Sequence, residues 1–494
     1  MFKKILIANR GEIALRIIRA CREMGIKNVS VYSDADRDAL HTRMADETYY
    51  LGPANPKESY LNMDKLISIA KSSGCQAVHP GYGFLAENHL FAEKCQNNGL
   101  IFIGPNPEAL KLVGDKIAAR NTVGKIGAPL IPGMRTKAKT EQDFERIAGE
   151  IGLPIIVKAS MGGGGKGMRI VKDAKELAKA VELGKREALS AFGDDTVYLE
   201  KYIEEPRHVE IQVLADNYGN AIHLFERECS IQRRYQKIIE ESPSTALDSE
   251  LRNRMGQKAI KVVKACNYNN AGTVEFLLDK NKKFYFLEVN ARIQVEHPVT
   301  ELVTGVDLIK EQIKIASGEK LSFVQSDIKQ NGHAIEARIY AEDPQNNFIP
   351  SPGKVKHLKE PQGPGIRLDS GIYGGYEIPV FYDPLIAKLI VWGENRNVAI
   401  TRMRRALDEY KIIGVKNILQ LLRKVMEDKR FVEGKLSTHF LNGFELDTEN
   451  DGNEKIAAIA AVCDKLSTSK ERPVEGIVKR VSLWKIIGRE SALG

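Results

Sequence analysis

Cysteine is scarce in this chain of 494 residues. The six thiols are Cys21, Cys75, Cys95, Cys229, Cys266 and Cys463, and no two form a C-x-x-C pair. That spacing excludes the common zinc and redox motifs and leaves reduced, buried thiols of a cytoplasmic protein as the expectation. Long apolar runs are also missing. The first one, Ile5-Leu6-Ile7-Ala8 behind Lys3-Lys4, is too short for a secretion core or a membrane span. The turn after it reads Asn9-Arg10-Gly11-Glu12 rather than G-x-G-x-x-G, so a dinucleotide cofactor is not expected there. No basic stripe with interleaved aromatics exists either. The 73 basic and 65 acidic residues are interspersed for a net charge of +8, which suits a protein that handles small anions and not nucleic acid. Hydrophobic residues make up 43%, enough for sizeable cores, and the length suggests roughly three domains.

The chain opens as an α/β unit. Ile5–Ala8 reads as a buried strand and Glu12–Met24 carries apolar residues at helical spacing. Val29–Tyr32, Ala77–Pro80 and Ile101–Pro105 read as further strands or strand ends, so a mostly parallel sheet with crossover helices is expected over residues 1–114. Asp115 then reads as the N-cap of a helix beginning at Lys116. Leu153–Lys158 reads as a strand, followed by Gly162 to Gly165 and by renewed β character at Arg169–Lys172. Glycines between two strands let backbone N–H groups approach a polyphosphate, with a flexible linker as the competing reading. The run lacks a GK[ST] ending, so it is not a P-loop.

The densest chemistry lies between Gly272 and Thr300. Thr273–Leu278 and Phe284–Val289 read as an antiparallel hairpin. If Asp279 faces Phe284, then Glu275 faces Glu288. Like charges facing each other are destabilising unless a cation sits between them, and magnesium takes such carboxylates together with substrate phosphates. The bland alternative is a pair of solvated glutamates, but their neighbours Phe276, Leu277, Phe286 and Leu287 are apolar. In extended chain, Glu288, Asn290, Arg292, Gln294 and Glu296 would share one face, with Val289, Ala291, Ile293 and Val295 on the other. Arginine offers a planar fork for a small oxyanion, and a carboxylate beside it can take a proton.

Several segments carry a resemblance: Ile7–Ala14, His79–Asn88, Gly162–Met168, Glu226–Arg234 and Asn290–Glu301. They resemble biotin carboxylase, a member of the ATP-grasp superfamily, over roughly residues 1–447. The resemblance implies an α/β and α+β multidomain fold. Its parts would be a Rossmann-like N-terminal domain (1–114), an ATP-grasp domain (115–325) with a glycine-rich lid at about 131–204, and a β-rich C-terminal domain (326–447). By matching position it also implies roles. Lys116, Lys158, Glu200, Lys201, Ile203, His208 and Gln232 would hold ATP, with Gly164 and Gly165 over its phosphates. Lys237 would neutralise charge near the γ-phosphate. Glu275 and Glu288, with Asn290 nearby, would hold magnesium or manganese. Arg292, Gln294 and Val295 would bind bicarbonate, Glu296 would deprotonate it, and Arg338 would stabilise the biotin enolate. Tyr235 stands where the family usually has histidine, Met161 interrupts the glycine run, Lys166 replaces a common arginine and Ala291 a frequent threonine.

No Ala-Met-Lys-Met biotin-acceptor segment is present, and no stretch is left for a carboxyltransferase domain. Biotin and carboxyltransferase are therefore expected on separate subunits. Homodimerisation is implied by the family. Residues 448–494 form an acidic linker, an alanine-rich stretch and a basic tail with spaced apolar residues, which either docks on a partner subunit or packs on itself. That tail makes the chain most similar to the biotin carboxylase subunit of two-subunit, archaeal-type pyruvate carboxylases. The corresponding subunit of acetyl-CoA or other acyl-CoA carboxylases is the alternative. A different ATP-grasp ligase would share the nucleotide and metal groups but would not need Arg292, Gln294 and Glu296 beside Arg338.

Overall fold

Lys4–Ile7 (β1) is buried along its apolar residues, as a strand covered on both faces must be. It sits at the centre of a five-stranded parallel sheet of order β3-β2-β1-β4-β5, with β2 Lys27–Ser33, β3 Glu47–Gly52, β4 Ala77–His79 and β5 Ile101–Phe102. The polar edge strand β3 carries no buried pattern at its start and was not anticipated from the sequence. A helix at Gly11–Glu23 buries Ile13, Ile17, Ala20 and Cys21. The side chain of Asn9 joins the turns after β1 and β4 by donating to the carbonyls of Pro80 and Tyr82, both at 2.7 Å. Gly81 allows that approach: its φ is +62°, and a Cβ there would meet Asn9 Nδ2 at 3.0 Å. The computed structural model describes residues 1–134, 140–160, 168–444 and 462. Gly164, Gly165, Met161 and Lys166, and all of the 448–494 tail except Val462, therefore lie outside the described residues.

Asp115 caps the next helix, Lys116–Lys125, accepting from the amides of Ile117 and Ala118. A small antiparallel sheet follows, of order β7-β6-β8, with β6 Ile155–Ala159, β7 Arg169–Val171 and β8 Val197–Lys201. The large sheet has eight strands. Six are β9 Arg207–Ala215, β10 Ala221–Arg233, β11 Gln236–Ser242, β12 Asn270–Leu278, β13 Phe284–Asn290 and β14 His333–Tyr340, in the order β13-β12-β9-β10-β11-β14. Leu385–Gly393 and then Ile366–Ser370 extend it beyond β14. The described residues up to Phe444 form one compact unit. No helix among the described residues is long and apolar enough to cross a membrane.

Two expectations about the central hairpin need correction. Its tip closes on Leu278–Phe284, not on Asp279–Phe284, and a bulge at Leu287 restores the Glu275–Glu288 pairing. The reason is steric. Phe286 and Glu288 share a parity, so an unbroken strand would put both on one face. The bulge lets Phe286 enter the core at 0% exposure while Glu288 faces the cleft. Secondly, the strand ends at Asn290. Residues 291–296 form an irregular segment and turn that leads into a helix at His297–Thr304, so they are not a continued alternating strand.

Candidate active site

A cleft of about 580 Å³ opens over one face of the large sheet. Lys116 and Lys158 line it from the helix after Asp115 and from β6, and Lys201 and Ile203 from β8 and the segment after it. The large sheet adds His208, Gln232, Lys237, Glu275, Glu288, Asn290 and Arg338, and the segment after β13 adds Arg292, Gln294 and Val295. These sequence-predicted residues, spread over more than 200 positions, thus share one cavity. Two others stand behind its wall. Glu200 is 1% exposed and bonds Arg120 and Lys158 (2.6 Å), so it positions the Lys158 ammonium. Glu296 is 0% exposed, at the N-terminal end of the helix His297–Thr304. Lys201 turns its ammonium to the carbonyls of Gly152 (3.1 Å) and Leu153 (2.7 Å).

At the centre, Lys237 is clasped by three carboxylates: Glu210 at 2.5 Å, Glu296 at 2.6 Å and Glu275 at 2.9 Å. Burial would push its ammonium pKa down, but these partners hold it well above the usual lysine range. Glu296 also accepts from Arg338 Nη2 at 2.8 Å. Burial opposes its charge, yet Lys237, Arg338 and Arg227 keep its carboxyl well below the usual range. Glu275 is held low in the same way, against burial, by Lys237 and by His208 at 3.1 Å. Across the hairpin, Glu288 pairs with Lys116 at 3.0 Å.

Arg292 and Gln294 form the other corner. Arg292 Nη1 donates to Gln294 Oε1 at 2.8 Å, which orients the amide. Gln294 is 3% exposed, and its Nε2 has no hydrogen-bond partner among the described residues. A buried donor without a partner beside a guanidinium can donate to an anion.

Sequence reasoning missed several residues here. Glu210 bonds Lys237 and also accepts from Arg227 Nε at 2.6 Å. The alternation His208-Glu210-Gln212 in an otherwise apolar strand was the available signal. Glu87 accepts from the Ala291 amide (2.9 Å) and from Arg292 Nε (3.1 Å), so the N-terminal sheet region aims the Arg292 guanidinium. It lies inside a segment that carries the family resemblance, but its own role had no signal. Glu240 accepts from Arg338 Nε at 2.6 Å and had no signal in the sequence.

The lysine-lined cleft, the small sheet over it and the facing carboxylates on a hairpin define an ATP-grasp domain. Residues 1–110 match the family described as biotin carboxylase, N-terminal domain, and residues 336–443 the biotin carboxylase C-terminal domain. Residues 115–324 match the carbamoyl-phosphate synthase L chain, ATP binding domain. The chain is 54% identical to a pyruvate carboxylase subunit of Methanothermobacter thermautotrophicus, over 90% of each chain. It is also 54% identical to biotin carboxylase 1 of Bacillus subtilis, over 90% of this chain and 99% of that one. A crystal structure of the biotin carboxylase domain dimer of Hydrogenobacter thermophilus 2-oxoglutarate carboxylase, with MgADP, ADP and bicarbonate, superposes with a TM-score of 0.88. It is 49% identical and covers 90% of this chain and 98% of that chain. The protein belongs to the biotin carboxylase family.

Proposed function

We propose that this chain uses ATP and bicarbonate to carboxylate biotin carried by a separate protein. The observation that carries the reading is the buried Gln294 Nε2, a donor without a partner among the described residues, beside Arg292 and in the same cleft as the Lys237 and Arg338 cations that hold Glu296. Bicarbonate fits that corner: Arg292 and Gln294 are donors for its oxygens, and Glu296 is the carboxylate for its proton.

The donor set fits a divalent cation. Glu275 and Glu288 face each other and are at present balanced by Lys237, His208 and Lys116, so hard oxygen ligands stand where a cation would relieve like-charge repulsion. Glu275 and Glu288, with Asn290 nearby, would hold magnesium or manganese, whose positive charge would offset that of the nucleotide's phosphates. Lys116, Lys158 and Lys237 would meet the remaining phosphate oxygens. A carboxylate held as low as Glu296 is a weak base at rest. A γ-phosphate that draws Lys237 away removes one of the cations that keep it low, so Glu296 gains basicity when the phosphoryl donor is in place. It then takes the bicarbonate proton as the oxygen attacks the γ-phosphorus and ADP leaves. The carboxyphosphate so formed breaks down to carbon dioxide and phosphate. The phosphate takes the ureido proton of biotin, and that nitrogen captures carbon dioxide beside Arg338.

The test is ADP release by the purified chain. Release should require bicarbonate, rise with free biotin and disappear in Glu296→Gln. Release that ignores both additives but responds to an amine or thiol substrate would overturn the reading in favour of another ATP-grasp ligase. As the final acceptor we propose pyruvate, on the similarity to the archaeal pyruvate carboxylase chain. The equal identity to a biotin carboxylase keeps an acyl-CoA acceptor as the second reading. A homodimer like the neighbour's, a cytoplasmic location and a carboxyltransferase on the partner subunit belong to the same proposal.

A further inference from the structure

Two turns near the cleft mouth hold bulky residues in the left-handed region. Arg234 and Tyr235, joining β10 to β11, have φ of 50° and 67°. Asn347 and Phe348, in the hairpin 342–350, have φ of 53° and 58°. Two consecutive positive φ values are the pattern of a type I′ turn, which ordinarily takes Asn-Gly. Large side chains there are strained and persist only where the surroundings enforce them. The two tips do enforce each other. Arg234 Nη2 donates to Asn347 Oδ1 at 2.8 Å, Arg233 stacks over Phe348 at 4.1 Å, and Arg233 also pairs with Glu342 at 2.6 Å. Tyr235 and Ile349 are left 46% and 49% exposed.

A third loop joins this rim, where the Ala341 amide donates to the Pro384 carbonyl at 2.9 Å. In that loop Tyr382 turns inward beneath Arg10 at 4.3 Å, while Val380 and Phe381 stay 65% and 52% exposed. Tyr235, Asp383 and Arg338 line the same cleft. Exposed apolar side chains thus sit on three linked loops, two of which reach the cleft through Tyr235 and Asp383.

We propose that Tyr235, Ile349, Val380 and Phe381 form the surface on which the biotin-bearing domain of the partner docks. The inference rests on the biotin carboxylation proposed above. A biotin on a tether reaches Arg338 only if the domain that carries it sits against the mouth. The two turn tips are tied together by the Arg234–Asn347 bond and the Arg233–Phe348 stack, so little backbone is left to order on binding, and aromatic residues are favoured anchors at small interfaces. A small apolar patch also suits a partner that must leave again, because such contacts are short-lived. The fitting partner surface is apolar around its biotinyl-lysine, with carboxylates placed for the exposed Arg234.

The test compares tethered with free biotin. The tethered probe is biotin-bearing protein recovered from the source cells on monomeric avidin. In Val380→Ser/Phe381→Ser, and separately in Ile349→Ser, the KM for that probe should rise about tenfold or more, while ADP release with free biotin stays within about twofold of the unaltered chain. Phe381→Tyr should restore the KM. An unchanged KM overturns the docking surface. So does a parallel fall with free biotin, which would make these residues part of the biotin pocket or of the fold. Failure of the unaltered chain to respond to bicarbonate and free biotin would instead overturn the proposed reaction.

Discussion

Two sets of buried glutamates show how little burial alone decides. Around Lys237, Glu275 and Glu296 are held charged, each touching at least two cationic groups. One strand further along, Glu240 faces Glu336 across β11 and β14. Burial pushes Glu240 up to about 7 although Arg338 opposes it, and pushes Glu336 well above the usual range. Neither Glu336 oxygen has a hydrogen-bond partner among the described residues. Both sets are buried. Glu275 and Glu296 have cations in direct contact that outweigh burial, whereas Glu336 has no bonded cation among the described residues and burial shifts it toward the protonated form.

Removing the central cation should break this contrast most severely. Lys237→Met leaves Glu210, Glu275 and Glu296 together without their shared ammonium. Bicarbonate-dependent ADP release should fall about 10²–10³-fold or more, and stability should drop by about 3–5 kcal/mol in denaturant titrations. An unchanged unfolding midpoint would show that the three carboxylates are not held by Lys237. Glu296→Gln comes next. Turnover should fall about 10²–10⁴-fold with nucleotide affinity within a few-fold, read by rapid quench and by calorimetry. Glu87→Gln keeps the Ala291 contact but weakens the hold on Arg292, so the KM for bicarbonate should rise about tenfold with kcat less affected.

The smallest effect is expected at Glu336, and it sharpens the contrast through pH. A carboxyl whose folded pKa is raised costs stability as pH rises above its unfolded value near 4.5. Glu336→Gln should therefore match the unaltered chain in acid and become relatively more stable toward alkaline pH. Glu275 and Glu296 work the other way. Their folded pKa values are lowered, so the stability they contribute is present above about 4.5 and is lost as pH falls through the acid range. Thermal melts from pH 4 to 9 of the unaltered chain, Glu336→Gln and Glu296→Gln separate the two behaviours.

The pairing of Glu275 with Glu288 was legible because a hairpin with acids at matching distances from its turn brings them together. The expected register at the tip was nevertheless one residue out. The alternation beyond Glu288 was legible as a set of residues but not as a shape. Arg292, Gln294 and Glu296 do converge, by way of a turn into a helix and not along a strand. Local sequence does not say where a ladder stops, because that depends on whether a neighbouring strand is there to accept its hydrogen bonds.

The sequence by itself determined the elements with strong periodicity, the cap at Asp115, the paired carboxylates and the resemblance to biotin carboxylase. Each of these rests on residues close together in the chain or on segments specific enough to read alone. Only the tertiary structure decided which charges neutralise which. Lys237 meets Glu210 and Glu296 from 27 and 59 positions away, and Arg292 is aimed by Glu87 from 205 positions away. A proton's affinity for a buried carboxyl is set by the charges within a few ångströms, and folding alone brings those charges together.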